Sequence, residues 1–196
     1  MITKEHIAKI IRILSVPPIM VSIFILILAI HKNNIFRNST EITIMIVLLG
    51  LVPALAYVLS GLVPKVKKQG REGQRKLAFI TNLTGYSIAL LWAIFTNVDK
   101  NLLLICLTYF LSVVLLTICN KGFHFRASGH AASFTGPLIL LVYFLGRKVI
   151  IPALIIAVLI VWASVYLKRH TIKELAGGIL VNILAFIFSV IIIIVL

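Results

Sequence analysis

The sequence predicts an all-α protein, a polytopic integral membrane bundle of six to seven transmembrane helices forming one domain over 1–196. Three observations lead there. Hydrophobic residues make up 61% of the chain and charged residues 12%, about half the charge of an ordinary soluble domain. Mean hydropathy is +1.15. Several apolar runs approach or exceed the roughly 20 residues that cross a bilayer as helix, and they leave no stretch between them for a separate soluble domain.

The first residues, "MITKEHIAKIIRILSVPP", lack an apolar core followed by a small-residue cleavage site, so no cleavable signal peptide is expected. Ile7, Ile10, Ile11 and Leu14 recur at helical spacing, with Lys4, Lys9 and Arg12 elsewhere on the helix. That is the pattern of a helix lying in the membrane interface. Pro17 and Pro18 suit the first turn of a span running to about Ile30. Further spans are expected at about 42–63, 77–97, 102–119, 131–146, 149–167 and 175–196. "PKVKKQGREGQRK", Pro64 to Lys76, is expected to be the most basic loop. Cys106 and Cys119 fall in one span, about 20 Å apart at 1.5 Å per residue, so they cannot pair within it.

The formal charge is +14, from 19 Lys+Arg against five Asp+Glu. These bases are scattered between spans rather than gathered on a soluble face, which argues against nucleic acid. Positive-inside topology with anionic headgroups, or an anionic substrate, explains them better. Seven spans put Lys32, Arg37, Lys100, Arg147 and Lys148 on one side and the other fourteen Lys and Arg on the opposite side. The bias makes the richer side, with loops 64–76, 120–130 and 168–174, cytoplasmic. A glycosylation sequon at Asn38 falls on the other side.

"FRASGH", Phe125 to His130, places Arg126, Ser128, Gly129 and His130 at the mouth of an apolar run. Ionisable groups near a bilayer core are costly, so such a cluster is a site hypothesis. From His130 the chain descends about 16 residues, roughly 24 Å, and returns over about 19, roughly 28 Å. His170 therefore arrives near the depth of His130, and the segment holding Lys68 and Arg75 opens on the same face. The converging segments "KKQGREGQR", "FRASGH" and "KRHTIKE" offer imidazoles, several cations and one acid, Glu174. That inventory suits a polyanion and a proton donor, not a carboxylate-held metal. At i, i+4 on a helix, His170 and Glu174 can touch, so the carboxylate could hold the ring tautomer.

"RASGHAASFTGP" followed by "WASVYLKRHTIKELAGG" resembles the type-2 phosphatidic acid phosphatase superfamily of membrane lipid phosphatases. The family pattern is K-x6-R-P, then PSGH, then SR-x5-H-x3-D, and the second and third motifs cover roughly 120–180. The resemblance implies a metal-independent phosphatase, without cofactor, acting on a lipid phosphate or polyprenyl diphosphate. It implies that His170 attacks phosphorus and becomes phosphohistidine, and that His130 protonates the leaving oxygen. Ser128 and Gly129 would bind phosphate, partly through backbone N–H groups at a helix start. Lys68 and Arg75 fit K-x6-R, with Lys76 where proline is expected. Arg126 adds a cation on physical grounds rather than from the family pattern. Two departures stand out: Ser164 occupies the place of the family's third-motif Arg, and Glu174 the place of its Asp.

Other readings compete. A catalytically weak or silent relative that binds anionic lipids is supported by Ser164. A zinc site from His124, His130 and His170 lacks H-E-x-x-H and has few acids around it. A transporter would be expected to show an inverted repeat of spans, and none is apparent.

Overall fold

The structure, a computed structural model, describes residues 3–32 and 34–196. Met1, Ile2 and Asn33 lie outside the described residues, Asn33 within the loop expected at 31–41. The described residues form helices joined by short turns, and no strand occurs among them. In chain order the helices are α1 (Lys4–Leu14), α2 (Pro17–His31), α3 (Ser39–Leu62), α4 (Pro64–Lys68), α5 (Gly70–Phe95), α6 (Lys100–Gly122), α7 (Gly129–Leu145), α8 (Arg147–Tyr166) and α9 (Ile172–Val195). Five of them, α3, α5, α6, α8 and α9, are long and apolar enough to cross a membrane. The pair α1 and α2 counts as a sixth only if taken together across a 63° bend. The 17-residue α7 is apolar but shorter. This is the all-helical membrane bundle that the composition predicts.

Local chemistry explains the breaks. Pro17 lacks an N–H and forces Val16 into an extended conformation (φ −67°, ψ 148°), so the α1 ladder ends at Ser15 and the chain turns. Inside α3, Pro53 cannot donate either. The ladder widens to a π turn over Ile46–Leu51, where the Val52 N–H donates to the Val47 carbonyl.

The segment 64–76 departs from expectation. It is helical, not a loop: α4 ends at Lys68, the chain breaks at Gln69 and Gly70 (φ +55°), and α5 then runs unbroken through Arg75. Lys, Arg, Glu and Gln are good helix formers, so charge here marks where the helix leaves the apolar layer rather than where it ends.

One apolar cluster joins α2, α3, α5 and α6 through Phe24, Leu28, Met45, Leu49, Ala89 and Ile105. A second joins α7, α8 and α9 through Phe134, Leu138, Ile160 and Leu175, with Ile11 of α1 packed against it. Asn182 of α9 links three helices by donating Nδ2–H bonds to Ser112 Oγ and the Ala132 carbonyl, each 2.9 Å. In an apolar medium such bonds hold helices that hydrophobicity alone would not order. Cys106 and Cys119 are both free and both on α6, as expected. At the end opposite the histidines, the Asn38 side chain caps α3 by accepting the Glu41 N–H at 3.0 Å. The Arg37 guanidinium there donates to the Asn97 carbonyl.

Gly177 and Gly178 press α9 against the 125–128 segment. A Cβ on Gly178 would strike the Ser128 carbonyl oxygen and lie 2.8 Å from Ala131 Cβ, and one on Gly177 would strike the Phe125 ring. This close packing brings the segments 125–130 and 170–178 together.

Candidate active site

The two histidines are positioned by helix starts. Ser128 is the N-cap of α7: its Oγ accepts the Ala131 N–H at 3.2 Å, and its own N–H donates to the Glu174 carbonyl at 2.9 Å. Thr171 caps α9 in a reciprocal box with Glu174, both bonds 3.2 Å. The Glu174 carboxylate does more than cap. Its Oε2 lies 3.2 Å from His170 Nδ1, and its Oε1 lies 3.3 Å from Arg126 Nε. One side chain thus orders a helix start, an imidazole and a guanidinium.

The His130 and His170 rings are 6.2 Å apart between centroids and 10° from parallel. Phe134, one turn along α7, meets the His130 ring edge-on at 5.9 Å. Ser15, between α1 and α2, has Oγ 3.3 Å from His130 Nε2 and donates its hydroxyl proton to the Arg12 carbonyl at 3.1 Å. The proton shared with His130 is then the imidazole's own N–H.

Both rings line a cavity of about 170 Å³, together with Arg12, Tyr57, Arg75, Asn82 and Gly129. No Asp or Glu is among the lining residues. At about 30 Å³ per water-sized group, the five heavy atoms of a phosphate fit. Burial pushes the His170 pKa below its ordinary 6.5, outweighing the Glu174 carboxylate, which favours the charged ring. His170 is therefore neutral at pH 7. With its Nδ1–H directed at Glu174, the lone pair sits on Nε2.

Five of the residues singled out from the sequence come together: His130, His170, Arg75 and Gly129 on the cavity, with Glu174 bonded to His170. Three are placed otherwise. Ser128 is buried, and the N–H expected to meet phosphate donates to Glu174 instead. Arg126 turns to Glu174 and lines a neighbouring basic cavity of about 460 Å³ with Arg75, Lys76, Lys121 and His124. Lys68 is exposed on α4 and lines neither cavity, because the break at Gln69 and Gly70 separates it from Arg75. His124 also lies on that second cavity, apart from His130 and His170. Among the described residues no group of three or more His, Cys, Asp or Glu is arranged to hold a metal ion.

Arg12, Ser15, Tyr57 and Asn82 escaped the sequence reading. Arg12 sits on an amphipathic helix whose pattern says only that it lies at an interface. Comparison of the chain with protein-family models, curated proteins and solved structures finds no match.

Proposed function

We propose that this chain is an integral-membrane phosphatase, similar to the type-2 phosphatidic acid phosphatases. It would hydrolyse lipid phosphates or isoprenyl diphosphates without a metal. The observation that carries the reading is the pair of parallel imidazoles, one oriented by a carboxylate, in a cavity lined by two arginines and no acid.

Phosphoryl transfer asks a protein mainly for positioning and charge stabilisation. The His170 Nε2 lone pair forms the N–P bond while the bond from phosphorus to the lipid oxygen breaks. The leaving oxygen takes its proton from His130, which receives it from the monoprotonated phosphate group as that substrate binds. Water then attacks phosphorus and yields a proton to His130; the P–N bond breaks, releasing inorganic phosphate and neutral His170. Arg75 neutralises the phosphoryl oxygens throughout. Glu174 balances positive charge on the phosphohistidine ring.

The active face is assigned to the cytoplasm by the excess of Lys and Arg on that side. Phosphate release from a panel of lipid phosphates and isoprenyl diphosphates, in nanodiscs with EDTA, tests the activity. Release unaffected by EDTA is expected. Loss restored by zinc would overturn the metal-independent mechanism, and no release from any substrate would overturn the enzyme. Ser164, where the family carries Arg, favours one alternative: a silent relative that holds anionic lipid in the same cavity.

A further inference from the structure

We infer that Arg12, carried into the site by α1, is the phosphate ligand that the third motif lacks at position 164. The inference rests on the phosphatase reading and supplies its missing cation. Ser164 is 1% exposed, and its Oγ has no hydrogen-bond partner among the described residues. It lies one turn beyond Ile160 on the same face of α8, and Ile160 belongs to the cluster against which Ile11 of α1 packs. Helix α1 and helix α8 are in direct contact. The small residue at 164 thus faces the side on which α1 docks, and the next residue after Ile11 is Arg12.

Arg12 lines the cavity with Arg75 and both histidines, and one of its terminal nitrogens is buried. The turn that carries it is fixed to the site, since Ser15 bonds both the Arg12 carbonyl and His130. Two guanidiniums and two imidazoles without an acid among them make a site for an anion. A second fork onto the phosphoryl oxygens is the contact that Ser164 cannot make. Ile7, Ile10, Ile13 and Leu14 of the same helix are exposed, a face for lipid, so contact with the bilayer holds Arg12 in place.

The test uses the full chain in nanodiscs, reading lipid-phosphate hydrolysis and, by thermal shift, binding of inorganic phosphate. Arg12→Ala should lower kcat/KM by about 10- to 150-fold, the range for losing a hydrogen bond to a charged group, and weaken phosphate binding in step. Arg12→Lys should recover part of both, as charge without the fork. Arg12→Ala with Ser164→Arg should recover more, because a guanidinium returns from the α8 side. Lys9→Ala, whose partner is the exposed Glu5, should match wild type. Hydrolysis and phosphate binding unchanged in Arg12→Ala would overturn the inference. So would equal losses in Arg12→Ala and Arg12→Lys accompanied by a fallen Tm, which would mark a packing role. Wild type that hydrolyses nothing yet binds phosphate through Arg12 would sustain this inference and overturn the phosphatase.

Discussion

His170 shows how one side chain is set for chemistry by its neighbours. Burial removes its charge, and Glu174 fixes which nitrogen keeps the proton. In the proposed mechanism attack requires the neutral ring, so the acid limb of the kcat/KM profile should lie below pH 6.5. Glu174→Gln removes the interaction that raises the His170 pKa. The acid limb should then move to still lower pH while the plateau falls, because the ring loses its orienting partner. An acid limb that moves upward instead would show that Glu174 acts some other way. His170→Ala should abolish turnover together with any acid-labile phosphoenzyme, and full activity in that variant would overturn the nucleophile assignment. His130→Ala should slow substrates with poor leaving groups most, which a leaving-group series measures.

At the scale of elements, the contact between the start of α9 and the 125–128 segment is the joint on which the site depends. Gly178→Ala drives a methyl group into the Ser128 carbonyl. It should cost about 1–3 kcal/mol, as overpacking does, and should reduce activity by separating His130 from His170. Gly61→Ala is the control: nothing lies within 4 Å of its Cβ, so thermal unfolding in detergent should show it neutral or slightly stabilised. These elements also show what can be read from the chain alone. The positions of α3, α5, α6, α8 and α9, the pairing of His130 with His170 and the His170–Glu174 contact follow from helical rise and periodicity, which are local and regular. The spans expected over 17–30 and 131–146, by contrast, are helices too short to count alone. Polarity predicts a loop over 64–76, but Lys, Arg, Glu and Gln favour helix and the segment is helical on both sides of Gln69. The Lys68 and Arg75 spacing failed because a helix break falls between them. Arg12 was invisible for a different reason: its place depends on how α1 docks against α8, a contact that no spacing records.

For the molecule as a whole, the charge distribution makes a claim about orientation that labelling can check. In a background without Cys106 and Cys119, a cysteine at exposed Gln69 should resist an impermeant thiol reagent in intact cells. One at exposed Asn34, at the opposite end, should react. The reverse pattern would mean that the bases near the cavity serve the substrate rather than topology. Ala127, although on the same side as Gln69, is buried and would give no label in either orientation.

The length of α7 has a physical consequence for the host bilayer. Its 17 residues rise about 25 Å, some 5 Å short of a typical hydrocarbon layer of about 30 Å. Arg147 and Lys148 follow its far end and mark the opposite boundary. On the same helix and bilayer dimensions His130, at the near end, would lie about 5 Å inside the edge of the hydrocarbon layer, and deeper still relative to the lipid phosphates. Packed inside the bundle and bonded through Ala132 to Asn182, α7 cannot tilt freely to make up the difference. A lipid-phosphate substrate of the proposed kind would have to sink or the leaflet to dimple, a work term that grows with acyl chain length. Turnover should accordingly be faster in short-chain than in long-chain phosphatidylcholine nanodiscs at equal substrate density, and a rate indifferent to thickness would place the histidines level with the headgroups.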